Sequence, residues 1–149
     1  MQSIGATARA WLAVGLWIAL IQIAASGPFS ASETSRLLGP LLRWLFPAAE
    51  AQTIASVHFA IRKAAHLIEY AILALIALRA LRRSFDHSFA SHATACLVLV
   101  LAVAVVDESR QARSALRTGA RSDVALDVAG AATALAIAYG ARRLRGARA

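Results

Sequence analysis

Apolar positions in this chain are gathered into four blocks, and the charged positions lie between them. The first block, 10–25, carries no charge and only Gln22 as a clearly polar residue. The others cover about 64–81, 89–106 and 124–140, and the third has no carboxylate, lysine or arginine. A hydrocarbon core of about 30 Å calls for about 20 mostly apolar residues in a helix that rises about 1.5 Å per residue. Each block sits at the short end of that range, so its polar ends must lie in the interface or face other helices. No segment shows the sustained two-residue alternation of a barrel strand. The pattern predicts an all-α integral membrane protein: a four-transmembrane-helix, up-and-down bundle forming a single domain over 1–149. A cleaved leader is the competing reading of the first block, since Arg9 precedes it and Ala24, Ala25 and Ser26 are small. The long apolar run, with Trp11 and Trp17 inside it and one basic residue before it, favours a retained anchor.

The stretch between the first two blocks, Ser26 to Arg62, is long enough to hold structure of its own. Gly27-Pro28 breaks the first helix. Leu37, Leu38, Leu41, Leu42 and Leu45 then recur at helical spacing, with Trp44 beside them and Gly39-Pro40 interrupting. This predicts a short, broken helix lying in the outer interface, where Trp favours the headgroup level. An ordinary connecting loop is the alternative. After Pro47, a second helical piece from about Glu50 would run directly into the second span.

The polar residues at the span ends carry the candidate chemistry. Lys63, His66, Glu69 and Tyr70 open the second span and, at about 100° per residue, fall within an arc of roughly 120°. Asp107, Glu108 and Gln111 close the third span and share a side of their helix. Arg113, Arg117 and Arg121 occupy the next connection, and Asp123, Asp127 and Gly130 form one stripe at the start of the fourth span. In an up-and-down bundle all these ends meet at one face of the membrane. A charge in the bilayer costs at least ~2.5–3.5 kcal/mol, so Glu69 and Asp127 must face the bundle interior and find partners. One reading is an ion-pair lock, with Glu69 and Asp127 matched by Lys63, Arg117 or Arg121. The other is an outward-opening pocket for a charged headgroup or soluble ligand, which the size of the cluster favours. His66 beside carboxylates suits a general base or metal ligand, yet a lone helical His is more often a hydrogen-bonded structural residue. The residues therefore name no metal site, cofactor or catalytic group. Gly130, Ala131, Ala134 and Ala138 at helical spacing read as close helix packing.

Charge refines the topology. The chain is 59% hydrophobic with a formal net charge of +8. Lysines and arginines divide evenly between the two faces, but all carboxylates except Asp86 lie on the face of the polar cluster. The tight arginine groups at 79–83 and 142–148 look like cytoplasmic anchors, so both termini are placed inside a cell (plasma or inner) membrane. The net positive charge is then mostly an inner rim meeting anionic membrane lipid. A nucleic-acid binder would want a basic soluble module, which the pattern lacks. The single cysteine, Cys96, falls in mid-span and reads as a small packing residue. His58, His87 and His92 read as interfacial or loop residues.

Three segments in order resemble the VanZ-like family. They are Lys63-x-x-His66-x-x-Glu69-Tyr70, then Asp107-Glu108-x-x-Gln111, then Arg117-Thr118 with Asp123-Val124 and Asp127-x-x-Gly130. The likeness covers about 63–130, and Ser26-Gly27-Pro28-Phe29 is similar to the segment that follows the family's first span. The chain departs from the family at Arg110, where His is frequent, at Asp127, where Asn is frequent, and at Ala115-Leu116, where Pro-Gly is common. The resemblance implies a multi-pass envelope protein. It also implies, by family analogy, a link to resistance to the glycopeptide teicoplanin and a lipid-linked or glycopeptide ligand. Two functions follow as expectations. In the first, a non-enzymatic protein binds a ligand or lipid headgroup at its outer face through Lys63, Arg117 and Arg121, oriented by Glu69, Asp107, Glu108 and Asp127. In the second, a membrane enzyme acts on a lipid-linked substrate with His66 and Glu69 as acid/base pair. Assembly into an oligomer is compatible with either.

Overall fold

The computed structural model describes residues 4–24, 31–112 and 121–146. Five helices follow in order: α1 (Ile4–Ala24), α2 (Ala31–Leu45), α3 (Ala51–Ser84), α4 (Phe89–Ala112) and α5 (Arg121–Gly146). Among the described residues there is no strand. Four of these, Ile4–Ala24, Ala51–Ser84, Phe89–Arg110 and Ser122–Gly146, are long and apolar enough to cross a membrane. Each helix overruns its apolar block, α3 and α5 at both ends, α1 at its start and α4 at its end, so the shortness of the blocks reflects polar helix turns rather than short helices. α3 is the extreme case. Its 34 residues correspond to about 51 Å at about 1.5 Å per residue, well beyond a core of about 30 Å.

The expected short helix in the first loop is α2. It continues through Gly39-Pro40 instead of breaking there. A proline removes one backbone bond and crowds the preceding turn, and here the bonds on either side carry the helix across. Trp44 and Leu45 on it are exposed. The helical piece expected from Glu50 is the first part of α3, with no interruption before the second span. The Gly27-Pro28 break lies outside the described residues.

α3 is the hub of the bundle. It packs against α1, α2, α4 and α5, and most extensively against α5. The reason is side-chain size. Ala74, Ala77 and Ala80 of α3 and Ala131 and Ala134 of α5 are buried, and small residues let helices approach closely where lipid offers no hydrophobic drive between them. Gly130 is where this approach is tightest. A Cβ placed there would lie 3.1 Å from the Leu67 carbonyl carbon and Cα, and nearer still to its oxygen. Around this contact sit Tyr70, Leu73, Cys96, Val100 and Leu135, all buried. Outward-facing positions are apolar instead: Leu12, Leu16 and Leu20 on α1, Val98, Leu101 and Val105 on α4, and Ile137 on α5 are exposed. Apolar surface of this extent is that of a protein solvated by lipid.

Cross-bonds fix the register. The starts of α1 and the end of α3 are tied by Trp11 Nε1, which donates to Ser84 Oγ at 2.8 Å, and by an Arg83 guanidinium N–H, which donates to the Ala6 carbonyl at 3.2 Å. α3 and α5 pair Lys63 with Asp123 and His66 with Asp127, so these two helices run parallel. Phe89 at the start of α4 meets Tyr139 near the end of α5, with ring centroids 5.1 Å apart, which sets α4 antiparallel to both. Of the two readings for His92, interfacial or loop, the helix takes the loop away: His92 belongs to the first turn of α4 and is buried, its ring 6.1 Å from that of His87.

Candidate functional site at the polar end of the bundle

Those of the expected residues whose side chains are described, Lys63, His66, Glu69, Tyr70, Asp107, Glu108, Asp123 and Asp127, lie at the end of the bundle where α3 and α5 begin and α4 finishes. Lys63 Nζ forms an ion pair and hydrogen bond with Asp123 Oδ1, and both side chains are partly exposed. One turn deeper, His66 Nδ1 lies 3.4 Å from Asp127 Oδ1, with Asp127 almost fully buried. That distance suits an ion pair but is long for a hydrogen bond. Deeper again is Tyr70, at 0% exposure, and Asp107 of α4 is buried at the same site at 2%. Glu69 is half-buried and its charge acts on His66, Asp107 and Asp127. Glu108 is half-buried and its charge acts on Asp107, Asp123, Asp127 and His66. One electrostatic cluster therefore gathers carboxylates from three helices around an imidazole and an ammonium.

The local reasons are periodic. Lys63, His66 and Tyr70 follow i, i+3, i+7 along α3, and Asp123, Asp127 and Gly130 follow i, i+4, i+7 along α5. Both stripes stay on one helix face, and the parallel arrangement aligns them rung by rung. Gly130 belongs to the same stripe. By removing a side chain where α5 crosses Leu67, it lets the neighbouring His66 and Asp127 come within reach of each other.

Of the partners expected for Glu69 and Asp127, only Lys63 lies among the described side chains, and it pairs elsewhere. Asp127 meets His66, and Lys63 meets Asp123 rather than Glu69 or Asp127. The Glu69 backbone carbonyl has a role that sequence reasoning missed: it accepts a hydrogen bond from Trp17 Nε1 of α1 at 2.9 Å. Arg110, read only as a departure from a family pattern, donates to Gln22 Oε1 and ties the end of α4 to the end of α1. The signal for that brace was Gln22, the lone polar residue in the first apolar block. The side chain of Gln111 and all of Arg117 lie outside the described residues, as do Arg113 and the side chain of Arg121.

Two features bear on what the cluster can do. The Tyr70 hydroxyl is buried and has no hydrogen-bond partner among the described residues. Leaving such a group unsatisfied costs about 1–3 kcal/mol, and here it faces the charges of Asp107, Asp127, Glu69 and Glu108. Next to it, a carboxylate behind an imidazole can orient the ring and stabilise its charged form. Among the described residues no group of three or more His, Cys, Asp or Glu side chains is arranged to hold a metal ion.

No curated protein and no solved structure matches the chain. A family model described as VanZ/LLP1 matches residues 10–143. That match begins within the first span, ends within the fourth and contains every residue of the polar cluster, and this chain belongs to the VanZ/LLP1 family.

Proposed function

We propose that this multi-pass membrane protein is a non-enzymatic component of the cell envelope that binds a ligand or lipid headgroup in the polar cluster. The cluster opens at the outer face and both termini lie in the cytoplasm. The observation that carries this reading is the buried Tyr70 hydroxyl, whose hydrogen-bonding capacity is unused within the described cluster. An ion-pair lock would satisfy its own members, as Lys63 and Asp123 do. A receiving site keeps donors and acceptors for its guest. Lys63, His66, Glu69, Asp107, Glu108, Asp123 and Asp127 would line it, and the sequence pattern adds Gln111 and Arg117 to the set. The orientation is supported by the arginines at the ends of α3 and α5, which share the opposite end of the bundle. A lipid-linked precursor or a glycopeptide is the ligand that family analogy suggests.

Native mass spectrometry of the purified protein, released from membranes with a total envelope lipid extract, tests the proposal. A retained lipid adduct on the wild type that Tyr70→Phe and Arg117→Ala lose, with folding intact, is the expected result. Equal adducts on all three proteins would refute it.

The second reading is an enzyme acting on a lipid-linked substrate with His66 and Glu69 as acid/base pair. It is favoured by one observation, the Asp127 carboxylate placed behind the His66 imidazole. It requires His66→Ala and Glu69→Gln to abolish turnover of that lipid extract while the protein still accumulates.

A further inference from the structure

At the opposite end of the bundle, the start of α4 and the end of α5 frame an open cleft of about 630 Å³ lined by Ser88, Phe89, Tyr139, Arg142, Arg143 and Gly146. Its floor is aromatic and its rim is cationic. Arg143 is held in place: Nε donates to Tyr139 Oη at 2.8 Å, and the guanidinium carbon lies 5.2 Å from the centroid of the same ring. Tyr139 is in turn braced by Phe89. That hydrogen bond uses Nε, and the two terminal nitrogens make no hydrogen bond among the described residues. Arg142 and Arg143 form no ion pair among the described residues. Ser88 caps α4, accepting from the Ser91 backbone N–H at 3.1 Å, and lines the same cleft, so the positive end of a 24-residue helix lies beside it.

We infer that this cleft is a binding site for the phosphate group of an anionic phospholipid. A guanidinium whose terminal nitrogens are free is suited to a phosphate, bidentately and with a second arginine beside it. The apolar floor of Phe89 and Tyr139 suits the glycerol and upper acyl chain that follow the phosphate, whereas a free phosphate ester would leave it uncovered. This site is separate from the polar cluster and does not depend on the function proposed for it. It also differs from diffuse attraction between a basic rim and a negative leaflet, because it rests on particular side chains. Arg79 and Arg82 carry the same charge near the same end but lie in a different pocket, with Leu75, Leu78 and Arg83.

Thermal unfolding of the full chain in a neutral detergent tests the site. The titrants are dioctanoyl phosphatidylglycerol, dioctanoyl phosphatidylcholine and inorganic phosphate. The phosphatidylglycerol should raise the melting temperature, and Arg142→Gln/Arg143→Gln should weaken that response about tenfold or more, the scale of losing charge-assisted hydrogen bonds. Arg79→Gln/Arg82→Gln, with the same change in charge, should respond as the wild type does. Tyr139→Phe, which alters no charge, should weaken the response by a smaller factor and serves if the double variant fails to fold. Equal loss in both double variants, an equal response to phosphatidylcholine, the same shift with inorganic phosphate, or an unaltered Tyr139→Phe would each overturn the inference.

Discussion

Gly130 offers the sharpest test of how this bundle holds its polar site together. Replacing it with alanine adds one methyl group on the α5 face that crosses Leu67. That methyl carbon would stand 3.1 Å from two backbone carbons of Leu67 and closer to the carbonyl oxygen. Comfortable carbon–carbon contact lies at about 3.5–4.0 Å, and backbone atoms cannot rotate out of the way as a side chain can. The helices must part by roughly half an ångström or more. Overpacking of this kind costs about 1–3 kcal/mol, and a clash with backbone belongs near the upper end. Alanine returns about 0.8–1 kcal/mol through its helix preference over glycine. The net expectation is destabilisation by about 2 kcal/mol. Unfolding in detergent micelles by titration with a denaturing detergent reads this directly. Gly15→Ala is the internal control, because a Cβ there meets nothing within 4 Å. It should be neutral or stabilising by up to about 1 kcal/mol. If Gly130→Ala behaves like Gly15→Ala, the close approach of α3 and α5 is not what sets the spacing of the site, and the reasoning fails.

Other perturbations separate the layers of the cluster. Asp127→Asn leaves His66 facing a neutral amide in a buried position and should cost about 3–5 kcal/mol if the pair is charged. Asp123→Asn, in the partly exposed outer pair, should cost about 1 kcal/mol or less, so the two measured by the same titration should differ clearly. Trp17→Phe keeps an aromatic ring and deletes the N–H to the Glu69 carbonyl; a loss of about 0.5–1.5 kcal/mol is expected, and no change would mean that this bond does not help to hold α1. Reporter fusions at Arg83 and Ala115 should give cytoplasmic and external signals respectively, and the reverse pattern would invert the bundle.

The crossings were legible in the sequence because a hydrocarbon core demands apolar length, and four blocks met that demand. The composition of the site was legible for a similar reason. Lys63, His66, Glu69 and Tyr70 can only share a face if the segment is helical, and buried charges demand company. Which partner each one takes was not legible. Pairing depends on the relative height of α3 and α5, and that height is set by the glycine–backbone contact at Gly130 and Leu67. No spacing within either segment encodes it. The bonds from Trp17 and Arg110 were hidden for a different reason, since α1 is far in sequence from the motifs and its tryptophan looked like any other apolar residue in a span. Pro40 misled because its local penalty was weighed without the turns on either side of it.

The parallel pairing of α3 with α5 also has a consequence for biogenesis. Membrane helices emerge in order, and α3 must enter the bilayer carrying Lys63 and His66 before the carboxylates that pair with them have been made. Asp123 and Asp127 arrive only with α5, after α4 has been threaded back across. During that interval Lys63 and His66 have no carboxylate from α5 to meet them, and lipid offers no match, at a cost of a few kcal/mol each. The nascent chain is thus least comfortable in the membrane until its last helix docks. Completion of the site and completion of the fold are the same event, and a chain stalled before Arg121 would display exposed charge that marks it as unfinished.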